Sequence, residues 1–308
     1  MLDISKISKI GIGTWGVGGF LEADSSIDEK KQSDAIAYML SRGLNFVEAN
    51  MMYSAGKSVE ILGNAIRKSN VKREDIFVCA AIYLKDSKSL EEAKSELDTI
   101  LSLLNTDYVD TIQFTMGSFE ISNFEDITKW IDELFEAKKI RYTSITNEDL
   151  PLLKKYHNKY GNKLFSHEVV FNFEVRANEE LGIIEYAKEN KIKTIVYQPF
   201  RRNRTAELNW PLLNELAAKY GKSQNQILLN WIVSNEYLPL TKSENIDHID
   251  EHLESLNFEM CVEDIKSLNE FKVPDYKMPK IKWSAKEEGV SIDQLSNVFD
   301  DMYKSQIR

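Results

Sequence analysis

Short apolar stretches of strand length alternate with longer segments of helical periodicity along almost the whole chain. In one such segment, "DEKKQSDAIAYMLSRG", Ile36, Met39 and Leu40 fall on one helical face and Gly43 follows as a C-terminal stop. Short apolar runs bounded by turn residues are typical of buried strands. The runs predict strands at 9–15, 45–49, 75–81, 108–114, 142–146, 166–172, 193–199 and 237–242.

Strands that alternate with helices predict parallel strands with right-handed crossovers, in an open doubly wound sheet or a closed barrel. No G-x-G-x-x-G or G-x-x-x-x-G-K-[ST] loop follows the first strand, which weakens the open dinucleotide-binding alternative. Eight strand-helix units over about 270 residues suit a (β/α)8 barrel. We therefore predict the α/β class, with a single (β/α)8 TIM barrel domain over residues 1–308 in which residues 271–308 form a C-terminal loop and helix extension.

The composition, 43% hydrophobic and 29% charged, is typical of a soluble globular protein. A formal charge of −10 argues against nucleic acid and anionic membranes as partners. The N-terminal "MLDISKISKIGIGTW" does not resemble a signal peptide, and two cysteines are too few for a disulfide scaffold or a metal site. We expect a cytoplasmic monomer or small homo-oligomer that acts on a small molecule without a metal.

Reacting groups of a (β/α)8 barrel lie at the C-terminal ends of its strands. At one such end, in "FVEANMMYSAGKSVEILGNAI", Glu48 and Tyr53 precede a glycine turn and an amphipathic helix. A carboxylate and a phenol at the mouth of a strand favour a chemical role for Glu48 over the alternative that it only hydrogen-bonds neighbouring backbone.

Seven segments resemble, in order and spacing, the landmarks of the aldo-keto reductases over roughly residues 8–270. They are "GIGTWGVGG", "YSAGKSVEILGNAI", "KREDIFV", "YVDTIQF", "KKIRYTSITN", "IIEYAKENKIKTIVYQPF" and "LAAKYGKSQNQILLNWIVS". The resemblance implies a barrel that binds a nicotinamide cofactor, usually NADPH, and passes a hydride to a carbonyl. It also implies an Asp-Tyr-Lys-His tetrad in which the tyrosine donates a proton, the lysine stabilises phenolate and the histidine orients the carbonyl.

This chain has an atypical tetrad. By resemblance Tyr53 matches the catalytic tyrosine and Glu48 takes the place of the aspartate, while Ala81 and Thr115 stand at the lysine and histidine positions. Lys85 is the nearest possible replacement for the lysine. Without that lysine we expect Tyr53 to stay a neutral hydrogen-bond donor and burial to raise the pKa of Glu48, while Thr115 positions a substrate oxygen without titrating.

The cofactor site keeps more of the family pattern. By resemblance Thr146 and Asn147 would hold the nicotinamide carboxamide, Glu168 stands where a glutamine usually joins them, and Tyr197 would stack on the ring. A glutamate in place of a glutamine keeps an acceptor and removes a donor.

The stretch "PLTKSENIDHIDEH" resembles the family's PKSxxxxRIxxN, with Lys242 and Ser243 at its lysine and serine. His248 stands where an arginine often binds the adenosine 2′-phosphate or stacks on the adenine, and His252 where an asparagine contacts the adenine. NADP is therefore the predicted cofactor, although a mostly neutral His248 weakens the preference over NAD. The predicted cofactor-binding residues are Thr14, Trp15, Thr146, Asn147, Glu168, Tyr197, Arg202, Lys242, Ser243, His248 and His252.

Two further groups of side chains are candidates for the site. The loop "QPFRRNRT" contains Arg201, Arg202 and Arg204, which form either a solvated charged face or contacts to pyrophosphate or an acidic substrate. Trp15 and Trp283 are predicted to wall an apolar substrate pocket.

Three hypotheses about function follow from the altered tetrad. The first is an NADP(H)-dependent oxidoreductase with Tyr53 as proton donor and Glu48 beside it. The second is a cofactor-binding regulatory protein that has lost turnover. The third is a non-redox lyase or isomerase that uses Glu48 as base.

Overall fold

The computed structural model describes residues 2–84, 89–115 and 117–303, apart from the side chains of Ile121, Met302 and Tyr303. Lys85, the replacement considered for the missing lysine, lies outside the described residues.

Eight parallel strands close into a barrel in sequence order, as predicted. The barrel closes where β1 pairs with β8 in the register Gly11 to Leu240 and Ile12 to Thr241. The strands are β1 Gly11–Ile12, β2 Phe46–Asn50, β3 Phe77–Ile82, β4 Thr111–Phe114, β5 Tyr142–Thr146, β6 Leu164–Val170, β7 Lys193–Tyr197 and β8 Leu238–Thr241.

Helices connect the strands and cover the barrel. The helix predicted from the "DEKKQSDAIAYMLSRG" segment forms with Ile36, Met39 and Leu40 buried, and Gly43 follows it with φ of +92°. The helices are α1 Glu29–Ser41, α2 Lys57–Ser69, α3 Leu90–Leu104, α4 Ser118–Ile121, α5 Phe124–Glu136, α6 Leu150–Tyr160, α7 Ala177–Glu180, α8 Ile183–Glu189, α9 Arg204–Glu207, α10 Pro211–Tyr220, α11 Gln224–Ser234, α12 Ile246–Glu254, α13 Val262–Glu270 and α14 Leu295–Tyr303. None of these described helices has the length and apolar character needed to cross a bilayer.

The barrel interior changes from apolar to polar along its axis. Near the strand starts Phe46, Phe77 and Phe165 pack together, with ring centroids 4.6 Å apart for Phe77 and Phe165. Further along, a buried hydroxyl chain links Thr111 to Ser144 at 2.9 Å and Ser166 to Ser144 at 2.8 Å. The aromatic cluster fills the N-terminal end, and the polar interior opens toward the C-terminal ends of the strands.

The C-terminal extension contains the predicted terminal helix, α14. It also contains a small parallel sheet that the sequence did not predict, formed by β9 (Ile281–Lys282) and β10 (Val290–Ser291). Ile292, Leu295 and Phe299 are fully buried in a cluster with apolar residues that follow β6. The extension therefore packs on the barrel near the mouth.

Arg201 attaches this extension to the barrel. Its guanidinium is 1% exposed, lies 3.4 Å from Glu174 and pairs with Asp300 of α14. Arg204 pairs with the same Asp300, and the Arg201 guanidinium lies 4.3 Å from the centroid of the Phe299 ring. The interpretation of the arginine run as a solvated face is wrong for Arg201, because two carboxylates and an aromatic ring replace water around it.

Candidate active site

A cavity of about 390 Å³ opens at the C-terminal ends of the strands. It brings together most of the predicted site residues, from six barrel strands, the loops after them and the extension. Its wall includes Trp15, Glu48, Tyr53, Gln113, Thr115, Thr146, Asn147, Glu168, Tyr197, Arg202, Lys242 and Asp293.

Tyr53 and Glu48 are directly connected in this cavity. The Tyr53 hydroxyl donates a hydrogen bond of 3.1 Å to Glu48 Oε1. Glu48 comes from the buried part of β2 and is 4% exposed. The ring of Trp15 meets the Tyr53 ring edge to face, with centroids 4.9 Å apart. The phenol is thus held between an indole and a carboxyl.

The loop that presents Tyr53 has an uncommon backbone. Ser54 and Ala55 both have positive φ, 49° and 51°, which non-glycine residues seldom adopt. Their N–H groups donate to the carbonyls of Phe20 and Leu21, in the loop after β1. These two backbone hydrogen bonds join the loop after β1 to the loop after β2 and thereby position Tyr53.

Burial controls the protonation of this pair. It raises the pKa of Glu48 to about 7, and the hydrogen bond from Tyr53 only partly opposes it. Burial, together with the nearby Glu48 and Glu168 carboxylates, raises the pKa of Tyr53 well above its ordinary value. Tyr53 is therefore a neutral donor at physiological pH, beside an acid that gains and loses its proton near neutrality.

Glu168 is the second buried acid of the cavity. It is 6% exposed, and its Oε2 accepts a 2.8 Å hydrogen bond from Gln113 Nε2. Burial first, and then the charge of Glu48, raise the pKa of Glu168 to about 8. At neutral pH the protonated Glu168 carboxyl has an O–H group, so it can donate a hydrogen bond as a glutamine amide would at this position.

Replacing Glu168 with glutamine should stabilise the protein, and more so in alkali. An acid with a raised pKa binds more protons in the folded chain, so its contribution to the free energy of unfolding falls as pH rises to about 8. Urea unfolding should show a gain for Glu168→Gln that is about 3–4 kcal/mol larger at about pH 8.5 than at about pH 5. Exposed Glu215 on α10 provides the control Glu215→Gln. A gain independent of pH would contradict a raised pKa for Glu168.

The wall beside Glu168 is held by its neighbours. Thr146 Oγ1 and Asn147 N–H each donate to the Glu168 carbonyl at 2.9 Å. Tyr197 donates its hydroxyl to Asn147 Oδ1 at 3.1 Å. An amide, an aromatic face and a carboxyl thus face the cavity from three adjacent strand ends.

Basic groups lie at the rim. Lys242 Nζ donates to the Gly16 carbonyl at 3.0 Å and lies 3.7 Å from Glu244, and burial lowers its pKa. Arg202 is exposed, with its guanidinium 5.7 Å from the centroid of the Phe20 ring. These cations belong to the loops after β7 and β8 rather than to the interior of the barrel.

The remaining predicted residues do not line the cavity. The buried hydroxyl of Thr14 donates to the Glu48 carbonyl at 3.2 Å, and Ser243 Oγ accepts from the Asn245 N–H at 3.1 Å. His248 on α12 is exposed, and partly buried Trp283 packs against apolar residues of both the barrel and the extension. His252 lies against Phe200, and burial lowers its pKa to about 4. Their roles stay predictions, and His252 is neutral at physiological pH.

Several residues of the cavity were not predicted from the sequence, among them Gln113, Asn50 and Asp293. Gln113 on β4 lies two residues before the predicted Thr115, and the alternation of side chains along a strand predicts that both point to the same side, so this signal was present. Asn50 faces Glu48, but its side chain also accepts from the Met52 N–H at 2.9 Å, which is a local turn contact. Asp293 comes from the extension, whose packing no barrel pattern predicts.

The sequence of residues 9–272 matches the model of the Aldo/keto reductase family. The chain belongs to this family. It is 28% identical to aldo-keto reductase YhdN of Bacillus subtilis (strain 168) over 199 residues, 62% of this chain and 58% of that protein. It is 24% identical to methylglyoxal reductase YeaE of Escherichia coli (strain K12), over 87% of this chain and 91% of that protein.

Solved structures show the same fold. The thermostable aldo-keto reductase Tm1743, in complex with the inhibitor epalrestat, superimposes with a TM-score of 0.79 and 26% identity over 85% of this chain and 94% of that chain. An aldo-keto reductase of Klebsiella pneumoniae in complex with NADPH has a TM-score of 0.72 and 19% identity, with coverage of 85% and 90%.

Proposed function

We propose that this protein is an oxidoreductase that transfers a hydride between NADP(H) and a carbonyl or related group of a small molecule, with Tyr53 as proton donor. The observation that carries the proposal is the hydrogen bond from Tyr53 to Glu48 in a cavity that Asn147, Glu168 and Tyr197 also line. Membership of the family and the NADPH complex of a structural relative support the choice of cofactor.

The residues of the cavity fit a nicotinamide nucleotide. The Asn147 amide offers a hydrogen-bond donor to a carboxamide, the Glu168 carboxyl offers an acceptor in either protonation state, and the Tyr197 ring offers a face for stacking. Lys242 and Arg202 at the rim suit phosphate groups. When bound, the reduced nicotinamide supplies the hydride.

The proton comes from the chain itself. Tyr53 gives its hydroxyl proton to the substrate atom that gains charge, and Glu48, with a pKa of about 7, returns a proton to the phenol. Glu48 thereby takes over part of the role of the missing lysine and histidine. The relay needs Glu48 protonated, so kcat should fall as pH rises above about 7.

Nucleotide binding and turnover test the proposal together. Fluorescence titration should show binding of NADPH and NADP⁺, and steady-state assays over a carbonyl panel should show NADPH consumption that decreases from about pH 6 to about pH 8.5. Absence of affinity for both nucleotides would refute the proposal. Tight binding without turnover of any substrate would favour the regulatory hypothesis instead.

A further inference from the structure

The two buried acids of the cavity have only neutral partners among the described residues. Glu48 Oε1 accepts from Tyr53, and Asn50 also faces that carboxyl. Glu168 accepts from Gln113 through Oε2, and its Oε1 has no hydrogen-bond partner in the part of the chain that is described. A buried carboxyl pair without a counter-ion favours a ligand that brings a positive charge.

The charges around the cavity are divided between its interior and its rim. The basic side chains, Arg202 and Lys242, belong to loops, and Lys242 is engaged by the Gly16 carbonyl and Glu244. The strand positions that the family fills with lysine and histidine carry Ala81 and Thr115 here. The titratable groups that face the two acids or the cavity between them are Tyr53, Cys79, Tyr83, Tyr197, Asp293 and the two rim cations.

This distribution of charge is unfavourable for reducing a neutral carbonyl. Hydride addition to a C=O carbon places negative charge on the oxygen, and Glu48 and Glu168 oppose that charge once they are ionised. An iminium ion behaves differently. Its carbon accepts the hydride, the C=N π pair becomes the nitrogen lone pair, and the positive charge of the substrate passes to the nicotinamide ring. The carboxylates therefore face one positive charge throughout, on the substrate before hydride transfer and on the nicotinamide ring after it. An iminium ion that is already charged requires no proton from the protein.

We infer that the preferred substrates are imines that react as iminium ions, with the carboxylates of Glu48 and Glu168 as their counter-ions. The inference rests on the proposed hydride transfer and specifies its substrate class. A neutral imine takes its proton from the Tyr53 and Glu48 pair on entry, which leaves Glu48 as a carboxylate beside the cation. A quaternary iminium ion enters already charged.

A matched pair of probes tests this inference. N-methyl-3,4-dihydroisoquinolinium is permanently charged, and 2-tetralone is a neutral ketone of similar bicyclic size. The first measurement is equilibrium binding of each probe to the nucleotide-free protein, followed by calorimetry or by quenching of tryptophan fluorescence, since Trp15 lines the cavity. The cation should bind at least about tenfold more tightly at about pH 8.5 than at about pH 6, because both acids lose their protons over this interval. The affinity for 2-tetralone should not increase with pH.

Variants assign the effect to the two acids. Glu48→Gln and Glu168→Gln should each weaken binding of the cation at about pH 8.5 by about tenfold or more and flatten its pH profile, whereas the exposed control Glu215→Gln should do neither. With NADPH present, kcat/KM should be at least about tenfold higher for the iminium ion than for 2-tetralone.

The outcomes separate the two proposals. A cation affinity that is independent of pH, or unchanged in both glutamine variants, would overturn the inference. So would a kcat/KM for 2-tetralone that equals or exceeds that of the iminium ion, although NADPH-dependent turnover would then still support the proposed function. Absence of nucleotide binding would refute the proposed function, and the nucleotide-free titrations would still report on the cation site.

Discussion

Replacing Tyr53 with phenylalanine should lower kcat for substrates that need a proton, neutral carbonyls and neutral imines, by about 10²- to 10⁴-fold. Tyr53 lines the cavity, and its hydroxyl is hydrogen-bonded to Glu48 Oε1. Phenylalanine keeps the ring that meets Trp15 edge to face, so packing of the site should survive while the proton path is lost. KM should change less than kcat, since the hydroxyl acts mainly in the transition state.

Steady-state kinetics and nucleotide titration together measure this effect. Tyr186→Phe is a matched control, because Tyr186 lies on α8 and does not line the cavity. The substitution removes a hydroxyl that lies 2.9 Å from His157 Nδ1. The loss of kcat in Tyr53→Phe should be much smaller for the permanently charged iminium probe than for a ketone. If Tyr53→Phe retains kcat for the ketone within about twofold, the phenol is not the proton donor and the mechanism proposed above is wrong.

The sequence predicted the barrel because each strand-helix unit carries its own signal. Each predicted apolar run overlaps a barrel strand, and α1 ends at Ser41, two residues before the predicted stop at Gly43. Tyr53 and Glu48 were also predictable, since their spacing matches a known motif and strand ends in this fold gather at one face. Local patterns therefore determined both the architecture and the two side chains at the centre of the cavity.

The features that were not predicted depend on contacts between distant segments. Nothing in "QPFRRNRT" distinguishes buried Arg201 from exposed Arg202, because the distinction is made by Glu174 and by Asp300, about a hundred residues further along the chain. The raised pKa of Glu168 likewise arises from burial and from Glu48 on another strand. Burial and electrostatics at such positions are properties of the assembled barrel, and a single sequence contains no periodic signal for them.

Replacing Arg201 with alanine should reduce the free energy of unfolding by about 3–5 kcal/mol. The change leaves Glu174, which is 2% exposed, without its cation and also removes a partner of Asp300. Glu174 keeps hydrogen bonds from Thr205 and Trp210, of 2.8 and 3.0 Å, but these neutral donors do not balance a buried charge.

The loss in Arg201→Ala should also depend on pH. Burial already raises the pKa of Glu174 and the Arg201 charge opposes that rise, so removing the arginine raises this pKa further. An acid with a raised pKa destabilises the folded state more as pH increases, and urea unfolding should therefore show a larger loss at about pH 8 than at about pH 5. Arg202→Ala, at the exposed neighbour, should change stability by less than about 1 kcal/mol.

A double variant separates the charge from the packing. Arg201→Met together with Glu174→Gln removes both charges while keeping similar volumes, and should recover most of the stability lost in Arg201→Ala, because an ion pair removed as a pair leaves no uncompensated charge. The Arg201→Ala protein should also be cleaved faster by protease within residues 271–303, since α14 loses one of the two arginines that pair with Asp300. A stability loss below about 1 kcal/mol for Arg201→Ala would mean that the apolar contacts of Ile292, Leu295 and Phe299 hold the extension without the buried ion pairs.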